Sequence, residues 1–293
     1  MGDEQRKEQK RKYYVHRKGR DPFLSFEQIR QIFKDEILTY IDWNNYLLEA
    51  QGSSGFGESE IGIWGWDIPT FILKQLQMEN IWPFDDHILE YYIPTFFTVI
   101  EFIYDYVSKP VKKKDKIVSY DKESAQEDYR ERVNKLLTLY RYREHHSLDN
   151  PEDYDDTFYE LSKEGEIRES VQDGFKGLVE KMPETNDPEN IDDRIRYAVS
   201  RFLRFDATLE EKKDAIRTLG DVLEYLKKSG VKMPKKDDGA LFNILNNFSI
   251  RHHQKEQKSE YSTEEWYEFM FYLFQASINV LIKLNKLDSI STS

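Results

Sequence analysis

The residues best suited to chemistry stand together near the C-terminal end of the sequence, in the run Arg251-His252-His253. This run follows an apolar stretch and precedes a polar one, as at the end of a helix. Imidazole titrates near neutral pH, so it can take up a proton and later return it. A guanidinium group beside it can hold a phosphate and offset the charge that grows on the phosphate oxygens. Arg and His together therefore suffice for metal-independent RNA cleavage.

The same run also has a purely structural interpretation. Positive side chains at a helix C-terminus complement the helix macrodipole by about 0.3–1 kcal/mol each, without any catalysis. A second pair, His145-His146, stands beside Arg141 and Arg143 at a similar predicted helix end, and there the structural interpretation is the stronger one. For Arg251-His252-His253, the local pattern leaves both interpretations open.

Charge is distributed unevenly along the 293 residues, whose formal net charge is −12. Residues 1–20 form a basic tail with eight basic and three acidic residues, so the rest of the chain is strongly acidic. An acidic body repels nucleic acid unless a focused basic site attracts it. Two lysine clusters, within 109–116 and 227–236, are either solvated surface or local phosphate-attracting patches. The candidate RNA-binding residues are those of the second cluster: Lys227, Lys228, Lys232, Lys235 and Lys236.

The chain has no cysteine, which excludes a disulfide scaffold, a thiolate zinc site, an iron–sulfur cluster and a cysteine nucleophile. Its longest apolar stretch, 93–103, is too short to span a bilayer, and the basic tail lacks the apolar region of a secretory signal. We therefore expect a cytoplasmic protein that requires no membrane, metal or cofactor. Trp64, Trp66 and Trp82 are candidates for base stacking, although packing is the commoner use of large aromatic residues.

Helix signals dominate both halves of the chain. Ser25-Phe-Glu-Gln28 and Thr208-Leu-Glu-Glu211 are capping boxes, and Asp67 precedes a helix with proline in its first turn. Four amphipathic helices with short connections, covering about 187–203, 208–226, 238–250 and 262–282, predict a bundle. The one notable β signal is a candidate hairpin around Lys163-Glu-Gly165. We predict a mainly α fold with at most a small β-hairpin. Its predicted parts are the tail (1–20), an N-terminal helical domain (21–146), a linker with the candidate hairpin (147–165) and the bundle (166–289).

Several segments resemble a family of bacterial abortive-infection and phage-defence proteins. The most extensive is Leu241-Phe-Asn-Ile-Leu-Asn-Asn-Phe-Ser-Ile-Arg-His-His-Gln254, which is followed by Trp266-Tyr-Glu-Phe-Met-Phe-Tyr272. Residues 102–110, 159–167 and 214–224 are similar to the same family. The resemblance implies that the C-terminal bundle is a HEPN-like domain, a helical fold that often acts as a ribonuclease.

The resemblance also implies roles for individual residues. Arg251 matches the family's arginine and His252 its following polar position, while His253 stands in for a catalytic histidine that the family places several residues later. Separately from the resemblance, Asn247, Asp221 and Glu224 are candidate supporting residues. Asp221 and Glu224 lie one helical turn apart, so they fit catalytic support and buried partners of Arg251 equally well, and plain surface acids are the commoner interpretation. The implied protein is a defence-associated endoribonuclease that acts as a homodimer on RNA and responds to a phage or host protein. The alternative is a non-catalytic helical sensor or interaction protein in which the Arg-His-His run is structural.

Overall fold

The prediction of a mainly α fold is confirmed by the computed structural model. The chain divides into two compact units, residues 1–165 and 166–293. The structure describes residues 23–53, 60–114, 116–145, 154–172, 174–181, 184–230 and 263–291.

The first unit contains most of the described helices, several of them short. They are α1 (Phe26–Ile32), which continues through a π-helical turn (Phe33–Leu38) into α2 (Thr39–Trp43), then α3 (Leu48–Gln51), α4 (Ile68–Leu76), α5 (Phe84–His87) with a 3-10 turn (Ile88–Glu90), α6 (Ile93–Tyr106) and α7 (Lys122–Leu137).

The β structure of the described chain is confined to short strands. Three antiparallel pairs lie in the first unit: β1 (Gly52–Ser53) with β2 (Glu60–Ile61), β3 (Lys109–Lys113) with β4 (Lys116–Asp121), and β5 (Tyr142–His145) with β6 (Tyr154–Thr157). At the predicted hairpin, β7 (Tyr159–Leu161) ends the first unit and β8 (Ile167–Glu169) begins the second. The intervening turn places Gly165 at φ 89°, a left-handed backbone conformation that favours glycine.

Three helices begin at the capping residues that the sequence predicts. The Ser25 and Thr208 hydroxyls each accept a hydrogen bond from the backbone N–H three residues on, and the side chains at that position, Gln28 and Glu211, accept one from the backbone N–H of the capping residue. The Asp67 carboxylate accepts from the N–H of Thr70 and begins α4. Because each cap satisfies amide groups that a helix start leaves without partners, short polar motifs fix these boundaries locally.

The core of the first unit is rich in aromatic residues. Trp64 lies at its centre with 2% of its surface exposed. Tyr129 on α7 is fully buried, and its hydroxyl donates to the Ile100 carbonyl on α6 at 3.1 Å. Trp64 contacts five other rings, with centroid separations between 5.4 and 6.4 Å: Phe71, Trp82, Phe84, Phe102 and Tyr106.

The second unit is a helical bundle with a continuous apolar core. Phe202 and Phe271 stack within it at a ring-centroid separation of 4.1 Å. The predicted helix over 238–250 lies outside the described residues. The described helices are α8 (Lys176–Glu180), a π-helical turn (Pro188–Asp192) that leads into α9 (Asp193–Leu203), α10 (Leu209–Lys228) and α11 (Thr263–Ser291).

None of the described helices in either unit has both the length and the unbroken apolar surface needed to cross a bilayer.

A buried amide in the bundle leads to a stability prediction. Gln275 on α11 has no exposed surface, and neither its Oε1 nor its Nε2 has a hydrogen-bond partner among the described residues. Burying an amide without partners costs free energy, and methionine has a similar shape without that cost. Gln275→Met is therefore expected to raise the free energy of unfolding by about 1–2 kcal/mol in urea titrations followed by circular dichroism.

The matched control is Gln126→Met in the first unit. Gln126 Nε2 donates to the Tyr104 carbonyl at 3.0 Å, so the same substitution there removes a made hydrogen bond and is expected to lower stability. A loss of stability in Gln275→Met would contradict the prediction.

Candidate nucleic-acid-binding surfaces

The predicted site residues divide into two groups. The structure places Asp221, Glu224, Lys227 and Lys228 on α10. The other predicted residues lie outside the described part of the chain: Lys232, Lys235, Lys236, Asn247, Arg251, His252 and His253.

The C-terminal end of α10 is basic. Lys227 and Lys228 occupy its last turn and are both exposed, while Leu226 beside them is buried in the bundle core. Asp221 is exposed and Glu224 half-buried, one turn apart on the same helix. Both lysines complement the helix macrodipole.

A second basic surface, the β3–β4 hairpin, is one that the sequence did not predict as structured. The two strands pair from Lys109 opposite Asp121 to Lys113 opposite Lys116. A bulge between Val111 and Lys112 leaves Val118 without an opposite residue. The lysine-rich stretch of the sequence is therefore an ordered hairpin with a fixed strand register.

The hairpin concentrates positive charge. Five of its lysines are exposed, and none forms an ion pair with another described residue. Lys113 and Lys116 stand directly opposite each other, an arrangement of like charges that destabilises a strand pair. A bound anion would relieve that repulsion. The five residues are Lys109, Lys112, Lys113, Lys114 and Lys116.

The base of the hairpin is fixed to the first unit. The Ser108 N–H, just before β3, donates to the Tyr46 carbonyl at 2.7 Å. At the other end, Asp121 accepts from the Ser124 N–H at 3.0 Å and caps α7. The hydrogen bonds from Ser124, together with the charge of Lys109, lower the pKa of the Asp121 carboxyl. Partial burial raises the pKa of the Tyr120 hydroxyl. These hydrogen bonds anchor the base of the hairpin, and the lysine-rich turn lies at its other end.

The three tryptophans do not make one stacking surface. Trp64 is buried, Trp66 is 75% exposed and Trp82 is half-buried. Trp64 and Trp82 contact each other edge to face at 5.6 Å, as packed core residues do. Trp66 is left as an isolated exposed ring.

Comparison with protein-family models, with curated proteins and with solved structures finds no match to the chain.

Proposed function

We propose that the protein is a metal-independent endoribonuclease of an abortive-infection defence system, with Arg251 and His253 at its active site. One observation carries the proposal. The two helices that flank the Arg-His-His run in sequence, α10 and α11, share one apolar core. The run is therefore joined at both ends to the same bundle, and its N-terminal connection begins at the exposed Lys227 and Lys228.

The proposed reaction uses only groups of the chain and of the RNA. His253 takes the proton of a 2′-hydroxyl, and the 2′-oxygen forms a bond to the adjacent phosphorus. The bond from phosphorus to the 5′-oxygen then breaks, and that oxygen takes a proton from water. The hydroxide that remains takes the proton from His253, which returns the imidazole to its neutral form. Arg251 offsets the negative charge on the phosphate oxygens during the transfer, and His252 positions the pair. The products are a 2′,3′-cyclic phosphate and a 5′-hydroxyl.

The basic surfaces support RNA as the substrate. The chain as a whole is acidic, so RNA affinity requires concentrated positive charge, and each unit has such a surface: the β3–β4 hairpin in the first and the end of α10 in the second. We further propose that the protein acts as a homodimer in the cytoplasm and that a phage or host protein triggers it. The homodimer and the trigger are proposed from the family resemblance. The cytoplasmic location is proposed from the absence of cysteine.

The experiment is an RNA cleavage assay with the purified full-length protein in the presence of EDTA. We expect cleavage of single-stranded RNA to continue when divalent ions are chelated, with cyclic-phosphate ends on the 5′ fragments. RNA in which the 2′-hydroxyls are methylated should resist cleavage. Because a phage or host protein is proposed as the trigger, the assay is repeated with added extract of phage-infected cells. If folded wild-type protein adds no cleavage beyond that of an Arg251→Ala variant in either condition, with or without EDTA, the nuclease proposal fails and the non-catalytic interaction protein replaces it.

The hairpin leads to a separate prediction about RNA affinity. Changing Lys112, Lys113 and Lys116 to serine is expected to weaken binding of single-stranded RNA about tenfold and to make its salt dependence shallower by about two units of slope, because each phosphate contact contributes about 0.7. Fluorescence anisotropy of labelled RNA over a range of salt concentrations measures both quantities.

The control removes the same charge elsewhere on the described surface. Lys74, Lys135 and Lys181 are also exposed lysines, but they are dispersed over α4, α7 and the end of α8. Changing these three to serine should leave the slope nearly unchanged. Equal losses in both triple variants would mean that net charge, and not the hairpin, governs RNA binding.

A further inference from the structure

A cleft in the first unit has no part in the proposed cleavage. Its volume is about 460 Å³, within the range of sites that hold small molecules. It is bounded by the π-helical turn with α2, by the segment from Asn45 to Gln51, and by the segment from Trp82 to Asp85. These three walls all belong to the first unit.

The wall formed by the π-helical turn has an unusual backbone. The Thr39 N–H donates to the Lys34 carbonyl five residues earlier, and the Thr39 hydroxyl donates to the same oxygen at 3.4 Å. Both residues line the cleft. Asn45, on the adjacent wall, has a left-handed backbone with φ 55°. Both conformations are sparsely populated and are frequent at functional sites.

The floor and one side of the cleft are apolar and rigid. Leu38, Ile41 and Phe84 are buried at its base. Trp82 forms a side wall, and its ring is held edge to face by Phe84 at 5.1 Å and by Trp64 at 5.6 Å. The ring is therefore already positioned to contact the body of a ligand before the ligand binds.

The rim of the cleft is acidic. Asp35, Asp42 and Asp85 are exposed on it, and Lys34 is the one basic side chain among the described residues that line the cleft. The Asp35 carboxylate accepts a hydrogen bond from Gln31 at 2.8 Å, whereas no ion pair or hydrogen bond holds the Asp42 or Asp85 carboxylate within the described structure. No three acidic or histidine side chains of the described chain come together as metal ligands. The rim offers carboxylates to a cation, and the buried apolar lining beside Trp82 suits a cation with an organic body.

We propose that this cleft binds a small organic cation with an aromatic or apolar body, an arylalkylamine in the simplest case. The body lies on Leu38, Ile41 and Phe84 against the face of Trp82. The ammonium group lies at the rim, where the Asp42 and Asp85 carboxylates accept its hydrogen bonds and the indole attracts its charge. This site is independent of the proposed ribonuclease, because its binding is measured without RNA.

The test is isothermal titration calorimetry of the full-length protein at low ionic strength, with tryptamine as the probe. Indole-3-acetate is the comparison, since it has the same ring and the opposite charge. We expect saturable binding of tryptamine and at least about tenfold weaker binding of indole-3-acetate, because the acidic rim repels its carboxylate.

Variants locate the binding to the cleft. The double change Asp42→Asn and Asp85→Asn is expected to weaken tryptamine binding about tenfold, at about threefold per exposed ion pair. Asp86→Asn is the matched control, since Asp86 is also exposed and follows Asp85 directly but does not line the cleft. All three aspartates are exposed, so the variants should fold normally. Equal binding of the two probes, no saturation by tryptamine, or equal effects of the double variant and the control would each overturn the proposal.

Discussion

Replacing Arg251 with alanine is expected to lower the rate of RNA cleavage at least about 100-fold, with little change in the affinity for RNA. The reason is that a group which offsets charge developing in the transition state contributes about 10²–10³ to the rate, more than it contributes to binding the ground state. Single-turnover cleavage of labelled RNA, with protein in excess, separates these effects because the rate at saturation and the half-saturating concentration are read from one titration.

His253 should behave similarly, but with a characteristic pH dependence. A general base contributes about 10²–10⁴ to the rate, so His253→Ala should lose activity to a similar degree as Arg251→Ala. The loss of the imidazole should also flatten the rise of the cleavage rate between pH 5 and 7, where an ordinary histidine, of pKa about 6.5, loses its proton.

Two further variants make this prediction falsifiable. His146→Ala changes the other histidine pair of the chain, whose first member lies in strand β5 and not at the predicted helix end. The proposed reaction gives this pair no role, so the rate should stay within about twofold. Arg251→Lys keeps the charge but not the planar fork of donors, so we expect only partial activity. If His146→Ala lowers the rate as much as His253→Ala, or if Arg251→Ala is as active as the wild type, the assignment of the active site is wrong.

Local signals in the sequence sufficed for most of the helices. Ser25, Asp67 and Thr208 begin helices where their motifs predict them because a cap depends on residues only three positions away. The hydrophobic spacing of α9 and α10 likewise placed their buried faces, since one helical face is defined by residues three and four apart.

The β3–β4 hairpin was missed because its sequence conflicts with its structure. Exposed lysine is not typical of strands, and the pairing of Val111 with Ser119 depends on the anchored base of the hairpin more than on residue preference. The available signal was the pair Ile117-Val118, two β-branched residues after a short polar turn.

The cleft could not be predicted because its walls come from separate parts of the chain. Thr39 and Asn45 are close in sequence, but Trp82 is about forty residues further along, and only tertiary packing brings it to the same cavity. The π-helical turn also lacks a sequence signature, since Phe33–Leu38 continues the apolar spacing of an ordinary helix. The cleft thus depends more on non-local packing than the helices do.

The second change with a large expected effect is the replacement of Trp64, in the core of the first unit, by alanine. We expect it to lower the free energy of unfolding by about 3–5 kcal/mol. Trp64 is 2% exposed and contacts five aromatic rings, so the substitution leaves a cavity that those rings cannot fill. Its Nε1 has no hydrogen-bond partner among the described residues, so the loss comes from packing and not from a broken hydrogen bond.

The neighbouring Trp66 provides a control that separates burial from residue type. Trp66 is 75% exposed, so Trp66→Ala should change the free energy of unfolding by less than about 0.5 kcal/mol. Trp64→Phe retains a ring without the unpartnered N–H and should cost less than Trp64→Ala. Urea unfolding followed by far-ultraviolet circular dichroism measures all three variants. Because Trp82 contacts both Trp64 and the cleft, Trp64→Ala should also weaken tryptamine binding, whereas Trp66→Ala should not. Similar losses of stability in the two alanine variants would contradict the central position of Trp64 in the core.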